Sequence, residues 1–318
     1  MTAFVSRRLI QSVFILLLVS ILIFLLMRLL PGDPLQLYMA DNEISQLSPE
    51  DYQILLAQFG LDKTLPRQYL DWLGDVFHGD LGTSIYYHDK INRLLAERLP
   101  VTIHIGILSL IISSFFGILA GFICAVRRGS KIDTLITSLA NLGMTVPIFW
   151  LGILMIYFFG LYLRWLPIQG YISPFSDFWP STKLLIMPVL CLSTGALASN
   201  TRQTRSSVLE VIRQDYIRTA WSKGLSERMV VIRHALKNSL IPVITLIGIQ
   251  VAHILGGSVL VETVFNIPGM GRLMVQSVFA QDYPVVQSMS FIISAMVVLT
   301  NLVVDISYGW IDPRIRYN

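Results

Sequence analysis

The feature that most constrains this chain is a series of apolar stretches long enough to cross a lipid bilayer. A transmembrane helix needs roughly 20 mostly apolar residues, and five stretches meet that requirement. They are Leu9–Leu30, Val101–Val126, Leu135–Tyr162, Ile241–Val261 and Val285–Tyr308. A sixth, Leu184–Ala198, is shorter and contains Pro188, but counting it keeps the basic loops on one side. The sequence therefore predicts an all-α integral membrane protein with six transmembrane helices.

Composition and the N-terminus agree with this prediction. Only 14% of the residues are charged, against about 25% in soluble proteins. The first stretch follows Arg7 and Arg8, as in a signal peptide, but it exceeds the roughly 7–15 apolar residues typical of one and no small-residue cleavage site follows. We expect a retained helix that ends at Pro31. Cys124 and Cys191 lie inside apolar stretches, which predicts buried thiols.

The basic residues are distributed by membrane side. With the N-terminus in the cytoplasm, the inner segments hold 15 of the 24 Lys and Arg residues and six of the 20 Asp and Glu residues. The inner side then carries +9 and the outer side −5, as the positive-inside rule predicts. We therefore expect both termini in the cytoplasm. The net charge of +4 then follows from the excess of basic residues on the inner side of the membrane and does not indicate nucleic-acid binding.

The chain divides into three parts on this interpretation. Residues 1–30 form an N-terminal segment with the first helix, 31–100 an extracytoplasmic helical segment, and 101–318 a membrane core that includes a cytoplasmic loop at 199–240. Helix start and stop signals in the outer segment predict three short helices. One opens at Ser48-Pro49 and ends at Gly60, the second covers about Pro66–His78, and the third covers about Lys90–Arg98 and stops before Pro100. They could lie on the membrane, cap a pore mouth or form a packed connector.

The loop at 199–240 is unlike a linker, because it holds eight basic residues, no proline and a single glycine, Gly224. Its pattern predicts a helix through Ser207–Ile212, a short helix over Tyr216–Lys223 capped by Asp215 and ended by Gly224, and a new helix from Ser226. A rigid element tied to two transmembrane helices can transmit the push of a cytoplasmic partner.

The stretch from Tyr216 to Val243 resembles the EAA loop of ABC-importer permeases, in the version found in peptide and nickel permeases of the dipeptide and oligopeptide B type. Further matching pieces span almost the whole chain. They are Arg7-Arg8, Pro31-Gly-Asp-Pro34, Phe59-Gly-Leu-Asp62, His78-Gly-Asp-Leu-Gly82, Val261–Gly271, Asp282-Tyr-Pro284 and Asp312-Pro-Arg-Ile-Arg316. The resemblance implies a type I ABC-importer permease architecture, in which Tyr216–Gly224 is the coupling helix that docks into a groove of the ATPase.

Within the loop, Ala220 and Gly224 match the family's alanine and glycine, and Leu236 matches the leucine of its closing motif. The departures leave open which side chain makes the polar contact with the ATPase. Arg218 and Thr219 stand where the general motif has Glu and Ala, and His234 and Lys237 where it has Ile and Pro. The residues expected to couple to the ATPase are Tyr216, Arg218, Thr219, Ala220, Lys223, Gly224 and Leu236.

The resemblance also implies the partners: a second homologous permease, two ABC ATPase subunits and an extracytoplasmic solute-binding protein in the bacterial inner membrane. The sequence lacks a phosphate-binding Gly-x-x-x-x-Gly-Lys-Ser/Thr loop, a His-Glu-x-x-His motif and a Gly-x-Ser-x-Gly motif. We therefore predict that this chain is not an enzyme, has no catalytic or metal site and binds no cofactor. ATP and magnesium belong to the partner subunits.

Polar and small residues inside the spans are candidates for a translocation path, because burying polar groups in lipid is costly. They are Asn141, Thr145, Gln250, His253, Gly256 and Gly257. Hydrogen bonding between helices is the more common reason for such residues. The turn after the fifth span, with Glu262, Phe265, Pro268 and Gly269, is a candidate outer gate or a plain structural turn. Asp305 is expected to pair with Arg314 or Arg316.

The leading functional hypothesis is thus an importer permease for di- or oligopeptides, working by alternating access. Permeases for nickel or metal chelates and for glutathione share the resemblance and remain alternatives. The rival class is a self-sufficient secondary transporter or channel. Against that class, the sequence has neither an inverted repeat nor a pair of Gly/Pro-broken helices in matching halves.

Overall fold

The fold is a bundle of long helices, and the computed structural model describes residues 2–29, 49–58 and 62–311. The first helices are α1 (Thr2–Leu29), α2 (Pro49–Gln58), α3 (Leu65–Phe77) and α4 (Ile91–Val126). Then come α5 (Lys131–Thr145), α6 (Ile148–Tyr162, π-helical from Ile156), α7 (Phe178–Ile212) and α8 (Asp215–Ser222). The last are α9 (Lys237–Val264), α10 (Met270–Phe279) and α11 (Tyr283–Ile311); a short turn at Glu227–Met229 and a π-helix at Val230–Leu236 lead into α9.

Five helices are long and apolar enough to cross a membrane: α1, α4, α7, α9 with its lead-in, and α11. The bent pair α5 and α6 passes the same test together, which gives up to six spans in the described residues when the pair is counted as one span. Each predicted span therefore corresponds to an element of the structure. In the outer segment, the helices predicted near Pro49 and Pro66 are present as α2 and α3, while Gly60 lies outside the described residues.

The predicted third span is not one straight helix. The axes of α5 and α6 differ by 108° across Val146 and Pro147. Val146 is extended, with φ −72° and ψ 125°, because a residue before proline is kept out of the helical region. A proline also has no N–H to continue the helix. The sequence contained this signal, but the apolar run across it favoured a continuous span.

The predicted stop before Pro100 was wrong. α4 runs without interruption from Ile91 to Val126, so the third outer helix and the second span are one 36-residue helix. Pro100 lies on an exposed face of α4, and so does Ala96, whose carbonyl loses its hydrogen-bond donor. Because that carbonyl faces outward, the helix tolerates the proline.

α7 is the central helix, and it is much longer than the Leu184–Ala198 predicted from apolar residues alone. In its most apolar 18-residue stretch 61% of the residues are buried, against 17% in the corresponding stretch of α1. A helix surrounded by protein does not need an apolar residue at every position, and α7 buries Asn200, Thr201 and Thr204. Pro188 lies inside it. The two cysteines are free and buried, as predicted.

The two ends of the bundle are built differently. The end that carries α8, here called the basic end, has a small apolar cluster of Ile217, Ala220, Val230 and Ala235. At the opposite end, a second cluster joins the loop before α4 to α10 and α11. The sequence did not predict α10, which starts directly after the turn at Phe265–Gly269. Asp305 pairs with Arg8 of α1 at 3.2 Å. The pairing predicted for it with Arg314 or Arg316 falls on residues outside the described part of the chain and stays a prediction.

Candidate functional site

The basic end carries α8, the helix that the sequence predicted between two longer ones. Gln214 is its N-cap residue, with extended backbone angles, and Asp215 is the first helical residue. The predicted capping by Asp215 was therefore wrong by one position. Asp215 instead places its negative charge in the first turn of α8, where it interacts favourably with the positive end of the helix dipole. The following helix starts at Ser226, as predicted; Ser226 occupies its N-cap position with extended backbone angles.

One face of α8 is fixed against the bundle. Ile217 is fully buried and Ala220 nearly so, and both pack in the cluster with Val230 and Ala235. The end of α7 contributes Val211 and Ile212 to the same cluster, and Leu225 adds a contact from the turn after α8. α8 is thereby attached both to α7 and to the lead-in of α9.

The other face of α8 is exposed to solvent. Trp221 is 41% exposed and Arg218 is exposed beside Asp215, at 3.5 Å. Thr219 and Lys223 also lie on the exposed surface, although the Thr219 hydroxyl donates back to the Asp215 carbonyl at 3.0 Å. Trp221 lies one turn after Ile217 and so flanks the buried face, next to the polar and charged groups of the exposed one. Aromatic residues and arginine are enriched at protein interfaces.

Tyr216 and Gly224 set the ends of this unit. The Tyr216 hydroxyl accepts a hydrogen bond of 3.1 Å from the Asn238 side chain at the start of α9. Gly224 follows α8 with φ +77°, the left-handed conformation predicted for it, and its N–H donates to the Trp221 carbonyl at 2.9 Å. Leu236 is half-buried in the lead-in to α9.

A cleft of about 340 Å³ lies between α6, α7 and α9. Its walls are apolar or small except for Ser199 and Gln250. The Gln250 amide donates to the Asn200 side chain at 3.0 Å, and the Asn200 amide donates to the Ser113 carbonyl of α4 at 3.2 Å. This chain of bonds fixes the Gln250 side chain at the cleft.

The other candidates for a translocation path are separate from this cleft. Asn141 and Thr145 are exposed on α5, and neither lines the cleft. Gly256 is exposed on α9. His253 and Gly257 belong to α9, but their surroundings lie outside what the structure describes. Among the described candidates, the structure therefore places Gln250 alone in a cleft.

The proposed outer-gate residues form a packed turn at the opposite end. The Glu262 carboxylate, in a fully buried side chain, accepts hydrogen bonds from the Thr102 hydroxyl at 2.7 Å and the Arg272 N–H at 3.0 Å. A Cβ at Gly269 would collide with that carboxyl group, so a larger residue there would displace the Glu262 side chain from its hydrogen bonds. Phe265 is buried and Pro268 half-buried. The structure thus brings the four residues of this candidate together.

Sequence reasoning missed several partners of these residues. Thr102 occurs in an apolar stretch and Asn200 in the predicted cytoplasmic loop, and no local pattern marks either as the hydrogen-bond partner of a residue far along the chain. Asp133 was counted only as an inner charge, yet it is buried and forms an ion pair with Arg205 of α7. Its position three residues after Ser130 gave the only signal, that of a helix start.

Comparisons with known proteins agree with this geometry. Residues 117–317 match the family described as binding-protein-dependent transport system inner membrane component, and residues 1–106 match the N-terminal part of such membrane components. The chain is 41% identical to the oligopeptide transport system permease protein AppB of Bacillus subtilis, with 100% of both chains covered. It is 38% identical to the di/tripeptide transport system permease protein DppB of Pseudomonas aeruginosa, over 100% of this chain and 99% of that one.

An inward-facing structure of the MetNI methionine ABC transporter has a similar fold. It matches with a TM-score of 0.57 at 18% identity, over 69% of this chain and 96% of that chain. The molecule is therefore a multi-pass permease with the type I importer fold. The chain belongs to the family of binding-protein-dependent transport system inner membrane components, the permease subunits of ABC importers. Proteins of this family work with a partner ATPase and a substrate-binding protein in the inner membrane.

Proposed function

We propose that this chain is a peptide permease subunit whose helix α8 couples a cytoplasmic ATPase to the transmembrane cleft. The observation that carries the proposal is the two-sided α8, with Ile217 and Ala220 buried in the bundle and Arg218 and Trp221 exposed at the basic end. A rigid element of this kind transmits a displacement instead of absorbing it. Docking would involve its exposed residues, while Ala220, Gly224 and Leu236 would keep it in place.

Di- and oligopeptides are the substrates we propose, since the relatives named above are peptide permeases. The cleft supports this choice, because apolar walls with few polar groups accept varied side chains. Nickel or metal chelates and glutathione are the alternative substrates. Identifying the ligand retained by the cognate binding protein would decide among them.

The complete importer would contain this chain, a second homologous permease, two ATPase subunits and an extracytoplasmic binding protein. ATP and magnesium would be bound by the ATPase subunits, because this sequence has no phosphate-binding loop of its own. Both chain termini and α8 would lie in the cytoplasm. Labelling a cysteine at position 218 from each side of the membrane tests this orientation, and reaction from outside the cell would overturn it.

ATP-driven closure of the ATPase dimer would draw the coupling helices together, so that the cleft opens outward. Glu262, Phe265, Pro268 and Gly269 would form part of the outer gate, at the end opposite α8. The rival class, a self-sufficient transporter, makes a different prediction. Uptake into liposomes that contain this chain without ATPase partners would favour the rival.

A glycine substitution gives the sharpest test of α8. Gly224→Asp adds a charge and a strained residue beside the proposed contact, because Gly224 has φ +77°. Gly79 is a matched control: it has φ +79°, also has free space around its Cα, and lies at the opposite end. We expect Gly224→Asp to assemble and to lose uptake relative to ATP hydrolysis, and Gly79→Asp to keep the wild-type ratio. Unimpaired uptake by Gly224→Asp would refute the coupling role.

A further inference from the structure

Asp133 ties the start of α5 to the central helix α7. Its carboxylate accepts two hydrogen bonds from the Arg205 guanidinium, from Nε at 2.8 Å and from Nη2 at 2.9 Å. The Asp133 residue is only 4% exposed. A two-point contact between planar groups fixes their relative orientation as well as their distance. The pair therefore acts as a rigid connection between the two helices.

The Asp133 carboxylate also accepts hydrogen bonds from residues close to it in sequence. The Gly129 N–H donates to Oδ2 at 3.0 Å, and the Thr137 hydroxyl donates to Oδ1 at 3.3 Å. The Asp133 N–H in turn donates to the Ser130 hydroxyl, which caps α5. With four donors in place, Asp133 is fixed to the first turn of α5, so movement of Arg205 is passed to the helix itself.

α7 is also closely packed against α4. A Cβ at Gly121 of α4 would lie 2.4 Å from the Thr201 carbonyl oxygen, and one at Gly117 would lie 2.6 Å from the Asn200 Cβ. Such close approach of two helix backbones allows little sliding. α4 and α7 therefore form one body, and Arg205 projects from it towards α5.

α8 is joined to this body without a flexible linker. Only Arg213 and Gln214 separate α7 from α8, and their N–H groups donate to the carbonyls of Glu210 and Val211 at 3.2 and 3.0 Å. The end of α7 also packs in the apolar cluster that holds Ile217. A displacement of α8 is therefore passed to α7 and to Arg205.

α5 also packs against α7 beyond this pair. Asp133 and Ala140 are its buried residues, and Gly143 adds a close contact with Thr194 of α7. Beyond its far end, across the bend, Ile148 at the start of α6 lines the cleft of about 340 Å³. Whatever moves α5 at Asp133 thus reaches a wall of the cleft.

We propose that Asp133 and Arg205 are positioning residues that make the inner half of the third span follow the coupling helix. The pair would convert a displacement of α8 into a change of the cleft wall at Ile148. It would touch neither substrate nor ATPase. This inference rests on the proposed coupling function of α8, and the test below separates the two.

The test uses the complete importer reconstituted in liposomes, with assembly, ATP hydrolysis and uptake of a tripeptide measured in parallel. Arg205→Gln removes the charge and the two-point contact. We expect it to assemble and hydrolyse ATP, with tripeptide uptake per ATP lowered at least tenfold. Arg205→Lys keeps the charge but lacks the planar guanidinium that makes the two-point contact. It should give an intermediate ratio of uptake to ATP hydrolysis. Arg128→Gln removes an exposed cation from the neighbouring loop and should behave like the wild type.

A wild-type ratio of uptake to ATP hydrolysis in Arg205→Gln would overturn the proposal. If Arg205→Gln does not assemble, Arg205→Lys decides, and an assembled Arg205→Lys importer with the wild-type ratio would overturn it equally. Gly224→Asp serves as the reference in the same assay. If Gly224→Asp uncouples and the Arg205 variants do not, this inference fails alone. If Gly224→Asp has no effect either, the coupling role of α8 fails with it.

Discussion

The Thr102 hydroxyl of α4 donates a 2.7 Å hydrogen bond to the Glu262 carboxylate of α9, 160 residues further along the chain. The same oxygen accepts the Met270 N–H of α10 at 2.9 Å. One hydroxyl therefore joins three helices at the end opposite α8. Thr102 and Glu262 are both buried, so water is poorly placed to replace either bond.

Thr102→Val keeps the shape of the side chain but removes both hydrogen bonds. The Met270 N–H then has no partner and Glu262 loses one, and each unsatisfied buried group costs about 1–3 kcal/mol. We expect a lower free energy of unfolding in detergent. Thr145→Val is the control, because Thr145 is exposed and its hydroxyl bonds only to carbonyls of its own helix. Equal stability of the two variants would contradict the role of Thr102.

A methyl group at Gly121 tests the contact between α4 and α7. It would lie 2.4 Å from a backbone oxygen and 2.7 Å from the Thr204 Cβ, so the helices must move apart. We expect Gly121→Ala to destabilise the protein by about 1–3 kcal/mol, as overpacking typically does. At Gly74 of α3 the added methyl meets nothing within 4 Å. Gly74→Ala should be neutral or stabilising by up to about 1 kcal/mol. Thermal unfolding of both variants checks the difference.

The sequence predicted those parts of the structure that depend on local signals. Six apolar stretches predicted the spans, and Gly224 and Ser226 predicted the boundaries around α8, because glycine and capping residues act on their immediate neighbours. Pro100 misled the prediction, since its effect depends on which face of α4 it occupies, and that is decided by packing.

The parts that could not be predicted depend on contacts between distant residues. Thr102 with Glu262, Asn200 with Gln250 and Asp133 with Arg205 pair residues 160, 50 and 72 positions apart. No local pattern encodes these distances. The length of α7 was underestimated for the same reason, because its polar residues are buried by neighbouring helices.

Trp221 is expected to contact the ATPase, since its side chain is 41% exposed at the edge of the buried face of α8. Trp221→Ala should reduce co-purification of the ATPase subunit by tenfold or more, the loss expected for an interface aromatic worth about 2 kcal/mol. Trp179 provides a matched control, because it is 70% exposed at the start of α7, at the opposite end. Trp179→Ala should retain the ATPase. Equal retention by both variants would mean that docking does not use this face.

A substitution of Gln250 tests whether the cleft is part of the translocation path. Gln250→Leu removes the amide from the cleft and leaves the Asn200 oxygen without its 3.0 Å donor. If the Gln250 amide forms one hydrogen bond to the transported peptide, its loss costs about 1–1.5 kcal/mol, a roughly five- to tenfold effect. We therefore expect peptide uptake to fall by about that factor at unchanged ATPase association.

Asn141→Leu is the control, because Asn141 is exposed away from the cleft, and uptake by this variant should match the wild type. Uptake measured in liposomes for both variants checks the prediction, and a larger loss in Asn141→Leu than in Gln250→Leu would place the path on α5 instead.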